Sequence, residues 1–368
     1  MTPPLVLHVI PTRIARGGQR EARAIADQLD EPGVRDHRVL NLFAGVPEVR
    51  ADFSLDFPGG DVPAAGFDPR LVLALRSALR RFDPALVVAH GGDPLKYLVP
   101  ALIGRRRPLA YYAIGTFPAG RSSRSVALWR QLLRRVDVVA AEGDEVRAEY
   151  IERFGVPPEH ITMTPNGRDP AVFHPRPQGL TTGQPAPMVT FVGALTTGKR
   201  PDRFIEVVAA ARARGLEFRA RLIGDGELMD QIREPARQAE VELLGSRSDV
   251  AELLRSSDIM VFPSLPQGEG MPGVLIEGGL TGLPIVATDV PGVRTVILPG
   301  ETGFIRATED VDGMVDDVVR LINDADLRTA MGEAALERCL THFSEGAVGR
   351  TWLRLLTPLL PPGSVSAR

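Results

Sequence analysis

Cysteine is almost absent. Cys339 stands alone in 368 residues, which excludes an intrachain disulfide and gives no sign of an oxidising compartment. Lysine is nearly as scarce: Lys96 and Lys199 are the only two among 43 basic residues. Arginine dominance of this kind is a composition habit, but it makes each lysine distinctive. No apolar run reaches the roughly 20 residues needed to span a bilayer. The apolar start, Met1 to Ile10, carries no basic stretch and reads as a first strand and not as a signal peptide. The expected location is therefore cytoplasmic, with membrane contact at most peripheral. A net charge of -3 argues against a surface built to hold nucleic acid.

Apolar residues make up 44% of the chain, ample for packed cores, and the length suits two of them. Short apolar runs at Leu5–Ile10, Val39–Phe43, Ala85–Ala89, Leu109–Ile114 and Val136–Ala141 alternate with helical spacing near Arg20–Leu29, Pro69–Phe82 and Ser125–Arg135. That alternation predicts a parallel sheet covered on both faces. The stretch 176–187, RPQGLTTGQPAP, has almost no apolar content and reads as a linker. The pattern then restarts, with strands at Met188–Val192, Arg219–Ile223, Val241–Leu244, Ile259–Phe262 and Ile285–Ala287, and helices between them. The predicted fold class is α/β: an N-terminal doubly wound domain over 1–175, the linker, a second over 188–345, and a closing helix and tail over 346–368. That helix is expected to pack back on the first domain. Ligands of such sheets lie beyond the carboxyl ends of the strands, so two domains of this kind would place a site in the cleft they face.

The stretch richest in chemistry is EGMPGVLIE, Glu269 to Glu277. A helix begins inside it, and a helix N-terminus offers unpaired N–H groups and a positive dipole end that suit a diphosphate. Pro272 has no N–H, which leaves Met271, Gly273 and Val274 as donors, and glycine at 273 lets a ligand approach. Glu277 is placed to accept from ribose hydroxyls, and Glu269 to face a sugar. Taken singly, either glutamate could be only a surface charge. Lys199 and Arg200 follow a strand that ends at Gly193, and supply cations for a phosphate. Gly17-Gly18, between the first strand and the first helix, lets backbone reach a phosphate or an acceptor, although a plain tight turn explains it equally. No acidic or histidine cluster has metal-ligand spacing, so no metal and no cofactor is expected.

Together these segments resemble the large retaining glycosyltransferase family 4. The resemblance rests on Glu269-Gly270-Met271-Pro272-Gly273-Val274-Leu275-Ile276-Glu277, then Gly282-Leu283-Pro284-Ile285-Val286-Ala287-Thr288-Asp289 and Gly292-Val293. Further matches are Phe191 to Leu195 with Lys199-Arg200-Pro201, Gly224-Asp225-Gly226, Gly245-Ser246-Arg247 with Asp249-Val250, Phe262-Pro263-Ser264, and Pro165 to Asp169 with Phe173. The resemblance implies a GT-B fold of two Rossmann-like domains, a nucleotide-sugar donor such as a UDP- or GDP-sugar, retention at the anomeric carbon, and no metal. It implies donor binding by Gly193, Lys199, Arg200, Arg247, Gly270, Met271, Gly273, Val274 and Glu277, with Gly17 and Gly18 in support. It also implies catalytic roles for Glu269 and for His90, whose position matches a cleft histidine that contacts the donor sugar. A histidine at a strand end could equally be structural, and His8, His37, His160, His174 and His342 read as structural.

Where the family usually has arginine after the glycine, this chain has Ala194, so one phosphate-neutralising cation is missing; Arg200 is a candidate to compensate. Many members use lipid-linked hydroxyl acceptors. The run Arg105-Arg106-Arg107 and the Arg-rich helix carrying Leu128, Trp129, Leu132 and Leu133 would suit an anionic bilayer, although a solvated arginine surface explains them equally. A GT-B-like sugar-nucleotide epimerase and a silent nucleotide-sugar binder are the rival readings.

Overall fold

The computed structural model describes residues 3–14, 17–58, 66–117, 122–177, 186–266 and 270–361. The chain divides into two compact units, residues 1–166 with 348–368, and residues 167–347. Most of the 176–187 stretch lies outside the described residues.

The first unit runs β1 (Leu5–Ile10), α1 (Gly17–Leu29), β2 (Asp36–Phe43), β3 (Phe53–Phe57), α2 (Pro69–Phe82), β4 (Leu86–His90), α3 (Gly92–Ala101), β5 (Leu109–Ala113), α4 (Ser123–Leu133), β6 (Val138–Ala141), α5 (Asp144–Phe154) and β7 (Ile161–Met163). Its seven strands lie in the order β3-β2-β1-β4-β5-β6-β7, every pair parallel. The central strands are apolar along their length because helices cover both faces: all five residues of β4 and all five of β5 are buried. α2 shows how local sequence sets an element. Asp68 caps it by accepting from Arg70 N–H, Pro69 opens it with a preset φ, and Leu71, Leu75, Ala78 and Leu79 recur at helical spacing and are the buried face.

The second unit runs β8 (Met188–Val192), α6 (Pro201–Ala213), β9 (Arg219–Ile223), α7 (Met229–Gln238), β10 (Val241–Leu243), α8 (Val250–Arg255), β11 (Ile259–Phe262), α9 (Gly273–Leu280), β12 (Ile285–Thr288), α10 (Val293–Val296), β13 (Gly303–Arg306), α11 (Val311–Asn323) and α12 (Ala325–His342). Its six strands are again all parallel, in the order β10-β9-β8-β11-β12-β13. The lone cysteine packs here: Cys339 on α12 is buried against α9. A Cβ on Gly279 would come within 2.4 Å of its sulfur. Burial pushes this thiol up to about 12, so its part is packing.

The last helix, α13 (Glu345–Leu356), follows, and from Val348 onward the chain belongs to the first unit. Trp352, fully buried, packs there with Val6, Ile25, Val88 and Tyr112. Both units have the doubly wound, Rossmann-like order, in which the sheet reverses its winding at β1/β4 and at β8/β11. Those reversal points are where such sheets open a crevice for ligands.

Candidate functional site

In the second unit the reversal at β8/β11 gathers most of the sequence-predicted donor residues. β8 ends at Val192 and β11 at Phe262, so the loops that leave them open on the same edge of the sheet. Leu265 N–H donates to the Gly198 carbonyl at 2.7 Å and ties these two loops together. Lys199 Nζ stands 5.4 Å from the centroid of the Phe262 ring, which sets its ammonium at the carboxyl end of β11. Ser264, on the same loop, is fully buried, and its hydroxyl has no partner among the described residues.

α9 begins at Gly273, and no side chain caps it, because the capping position is Pro272. Leu275 N–H already bonds back to the Pro272 carbonyl, so the N–H groups of Gly273 and Val274 form the open N-terminal end. Met271 is buried in the core below. The loop before α9 is held from the side by Gly292. Its φ of 81° is left-handed, and a Cβ there would lie 2.1 Å from the Gly270 carbonyl oxygen. The turn after β12 therefore supports the loop before α9. Glu269 itself lies outside the described residues.

Glu277, one turn into α9, accepts from Arg168 Nε at 2.7 Å. Arg168 Nη1 donates to the Gly167 carbonyl at 2.8 Å. Its Nη2 lies over the start of the helix, where a Cβ on Gly273 would come within 1.8 Å of it. A guanidinium thus rests on the N-terminal turn of α9 with its ion-pair partner one turn below. Arg200 takes a left-handed conformation with φ 52° at the start of α6, and its Nε bonds both carboxylate oxygens of Asp202, at 3.1 and 3.0 Å. Arg247, beyond the edge strand β10, forms a two-pronged pair with Asp249 at 2.7 and 2.6 Å.

In the first unit, β1 ends at Ile10 and β4 at His90. α1 starts at Gly17, and a Cβ on Gly18 would lie 2.7 Å from Ile114 Cδ1, a close approach that glycine permits. His90 is 2% exposed. Its Nε2 is 2.9 Å from His8 Nδ1, and His8 Nε2 is 3.0 Å from His37 Nδ1, so three histidines form a chain across β4, β1 and β2. Trp352 stacks on the His90 ring. Burial lowers His90 to about 3 and His37 to about 4, and lowers His8 as well, so all three are neutral rings at neutral pH. His90 Nδ1 is buried without a partner among the described residues. The side chain of His90 is thus held within the core of the first unit.

Residues 15–172 match the family described as glycosyltransferase family 4, and residues 186–324 match glycosyl transferases group 1. The chain belongs to glycosyltransferase family 4. Among curated relatives, an Escherichia coli UDP-Gal:alpha-D-GlcNAc-diphosphoundecaprenol alpha-1,3-galactosyltransferase is 29% identical over 188 residues, 47% of this chain and 48% of that protein. A D-inositol 3-phosphate glycosyltransferase of Corynebacterium glutamicum is 28% identical over 232 residues, 58% of this chain and 55% of that protein. The chain spans about half the length of these curated relatives. Among solved structures, a glycosyltransferase from Rickettsia africae superposes with a TM-score of 0.81 at 16% identity, over 99% of this chain and 100% of that one. An Anabaena protein in complex with UDP superposes with a TM-score of 0.79 at 18% identity, over 96% of this chain and 100% of that one. These likenesses show a two-domain, Rossmann-like GT-B fold.

Two features of this family 4 chain escaped the sequence reading. Arg168 was visible only as part of the Pro165 to Asp169 segment, and nothing local ties it to Glu277, 109 residues away. Glu142, just past β6, is buried. It accepts from Gly115 N–H and from Asn166 Nδ2, both at 2.9 Å. Tyr112 in turn donates to Asn166 Oδ1 at 3.1 Å. Burial pushes the Glu142 carboxyl up. This carboxylate anchors Asn166, two residues before Arg168.

Proposed function

We propose that the chain is a retaining, metal-independent glycosyltransferase that moves a sugar from a UDP- or GDP-sugar to a hydroxyl acceptor. The observation that carries this reading is the uncapped N-terminus of α9 at a sheet reversal point, with Lys199 at the neighbouring strand end and Glu277 one turn below. Open N–H groups and a cation suit a diphosphate, and a carboxylate suits ribose hydroxyls. In the reaction, the bond from the anomeric carbon to the diphosphate oxygen breaks. A bond from the acceptor oxygen to that carbon forms on the same face. The acceptor's proton passes to the departing phosphate oxygen, so no enzymic nucleophile is needed. Negative charge grows on the diphosphate in the transition state, and the helix end with Lys199 is preorganised to take it. Glu269 and His90 are proposed to act at the transferred sugar, as their place in the family motif implies.

The test is a thermal-shift screen of UDP- and GDP-sugars, followed by donor hydrolysis and, with an acceptor, NMR of the product anomer. Absence of any shift and of any hydrolysis would overturn the reading; an inverted product would overturn retention. Glu277→Ala is expected to raise the Kd for the nucleoside diphosphate about tenfold, the scale of one charge-assisted hydrogen bond.

On the acceptor side, we propose peripheral contact with an anionic bilayer, suited to a lipid-linked acceptor. The first unit carries an apolar cavity of about 970 Å³ bordered by α3 and α4, with Phe67, Ile103 and Leu128 exposed along it. Arg105, Arg106 and Arg134 rim it. Among the described residues no carboxylate pairs with these three, so their charge is left for an anionic surface. Co-sedimentation with phosphatidylglycerol vesicles is expected, and is expected to fall with phosphatidylcholine vesicles or in Leu128→Glu. Equal binding to both vesicle types, or none, would overturn it.

A further inference from the structure

The cavity of about 970 Å³ in the first unit is at the upper end of the range for small-molecule sites. Val99, Leu102 and Leu132 line it, together with Phe67, Ile103 and Leu128, which are each more than half exposed. The Phe67 ring is held by stacking on Tyr97, with 5.4 Å between centroids. Apolar surface left in water over such an extent marks a place that takes a partner.

The cations there outnumber the anions. Residues 67–135 contain twelve arginines and one lysine against three acidic residues, Asp68, Asp83 and Asp93, in a chain whose net charge is -3. All three acids are taken: Asp68 by Arg70, Asp83 by Arg107 and Asp93 by Lys96. None is left for Arg105, Arg106 and Arg134, which line the cavity. Arg135 donates to the Arg105 and Arg107 carbonyls at 3.3 and 2.7 Å and so fixes the backbone of this basic run.

The lining also selects among occupants. A polypeptide in an apolar cavity brings N–H groups that need acceptors. The lining side chains offer one, the Gln131 amide, and its oxygen already accepts from Arg134 Nη1 at 3.2 Å. The other polar side chains are Lys96 and the arginines, which only donate. A hydrocarbon chain has no N–H to satisfy, and a phosphate at its end suits guanidinium groups.

The cavity lies away from the crevice of this unit. Arg105 to Arg107 lead into β5 at Leu109, and Arg134 and Arg135 lead into β6 at Val138. It therefore stands by the amino ends of these strands, whereas the reversal at β1/β4 opens at the carboxyl ends. A lipid held here is an anchor and not the group that receives the sugar.

We propose that this cavity binds one lipid phosphate, with its hydrocarbon chain against Val99, Ile103, Leu128 and Leu132 and its phosphate on Arg105, Arg106 and Arg134. The proposal deepens the bilayer contact proposed above and rests on it: one lipid enters the protein, beyond adhesion to the membrane surface.

Farnesyl phosphate, kept below its micellar concentration, is titrated calorimetrically into the full-length chain, beside farnesol and inorganic phosphate. The expected result is saturable binding of one farnesyl phosphate, about tenfold or more tighter than farnesol or inorganic phosphate. Arg105→Gln/Arg106→Gln and Ile103→Glu are each expected to weaken it by about tenfold or more, with an unaltered urea transition by tryptophan fluorescence as the check on folding. Farnesol or inorganic phosphate binding as tightly as farnesyl phosphate would overturn the proposal, as would unchanged binding in either variant. A chain that sediments as a dimer and becomes monomeric in Ile103→Glu would make the cavity a subunit interface and overturn it too. If farnesyl phosphate does not bind while phosphatidylglycerol vesicles still sediment the chain, this proposal falls and the bilayer reading stands. If neither binds, both fall.

Discussion

Nδ1 of His8 lies 2.9 Å from Nε2 of His90, deep in the sheet of the first unit. With His37 at the far side of His8, three neutral imidazoles share a buried line of hydrogen bonds. Placing a proton on any of them would put a charge where burial penalises it.

This gives a pH dependence of stability with a definite sign. The folded values, about 4 for His37 and about 3 for His90, lie below the ordinary value of 6.5. As pH falls through 6.5 the unfolded chain takes up protons that the folded one refuses. Stability is therefore full above pH 6.5 and is lost as pH falls from there towards 4, at roughly 1.4 kcal/mol per pH unit for each histidine. Trp129 and Trp352 are the only tryptophans, and both belong to the first unit, so fluorescence follows this unit. Its urea midpoint is expected to drop steeply between pH 7 and pH 5; a flat midpoint would contradict the buried chain.

Trp352 closes that chain from above. It is fully buried, stacks on His90 and meets Tyr112 edge-on. Trp352→Ala is expected to destabilise the first unit by about 3–5 kcal/mol, the cost of emptying a large aromatic site. Trp352→Phe should cost much less. Urea unfolding followed through Trp129 measures both, and a Trp352→Ala midpoint equal to that of the unaltered chain would show that α13 does not close this core.

His90 and Glu269 separate chemistry from binding. His90→Ala and Glu269→Ala are each expected to lower kcat on the order of 10²-fold or more, with little change in affinity for the free nucleoside diphosphate. Because His90 is buried, its variant must first show an unaltered fluorescence transition at pH 7.5. Full turnover in both variants would remove them from the reaction. Loss of nucleotide affinity in step with rate would move them into the nucleotide site.

Metal dependence is a fourth test. The proposed diphosphate site draws its positive charge from helix N–H groups and Lys199, so transfer is expected to survive excess EDTA. Abolition by EDTA with recovery on adding Mg²⁺ or Mn²⁺ would show that this charge is insufficient.

Much of the fold was legible because parallel strands buried on both faces must be apolar throughout. LVLHVI and ALVVAH announce β1 and β4 for that reason, although each also hides a histidine. α3 was not legible: Pro94 and Pro100 lie inside Gly92–Ala101 and read as breakers. Pro94 is tolerated because the first turn needs no N–H there. β3 is an edge strand whose residues alternate in burial, and β7 spans three residues, too short for a pattern. α11 carries Met314, Val315, Val318 and Leu321 at helical spacing and buries them, a clear local signal for a helix.

The sequence by itself determined the two parallel sheets and a helix start within Glu269 to Glu277, because strand burial and helix termini are set by residues near one another in the chain. Tertiary structure alone decided that Arg168 meets Glu277 and that His8, His37 and His90 join in one line. Those partners stand 109, 29 and 82 positions apart. No local preference links residues at such separations; the doubly wound order does, by laying β4 and β2 on either side of β1.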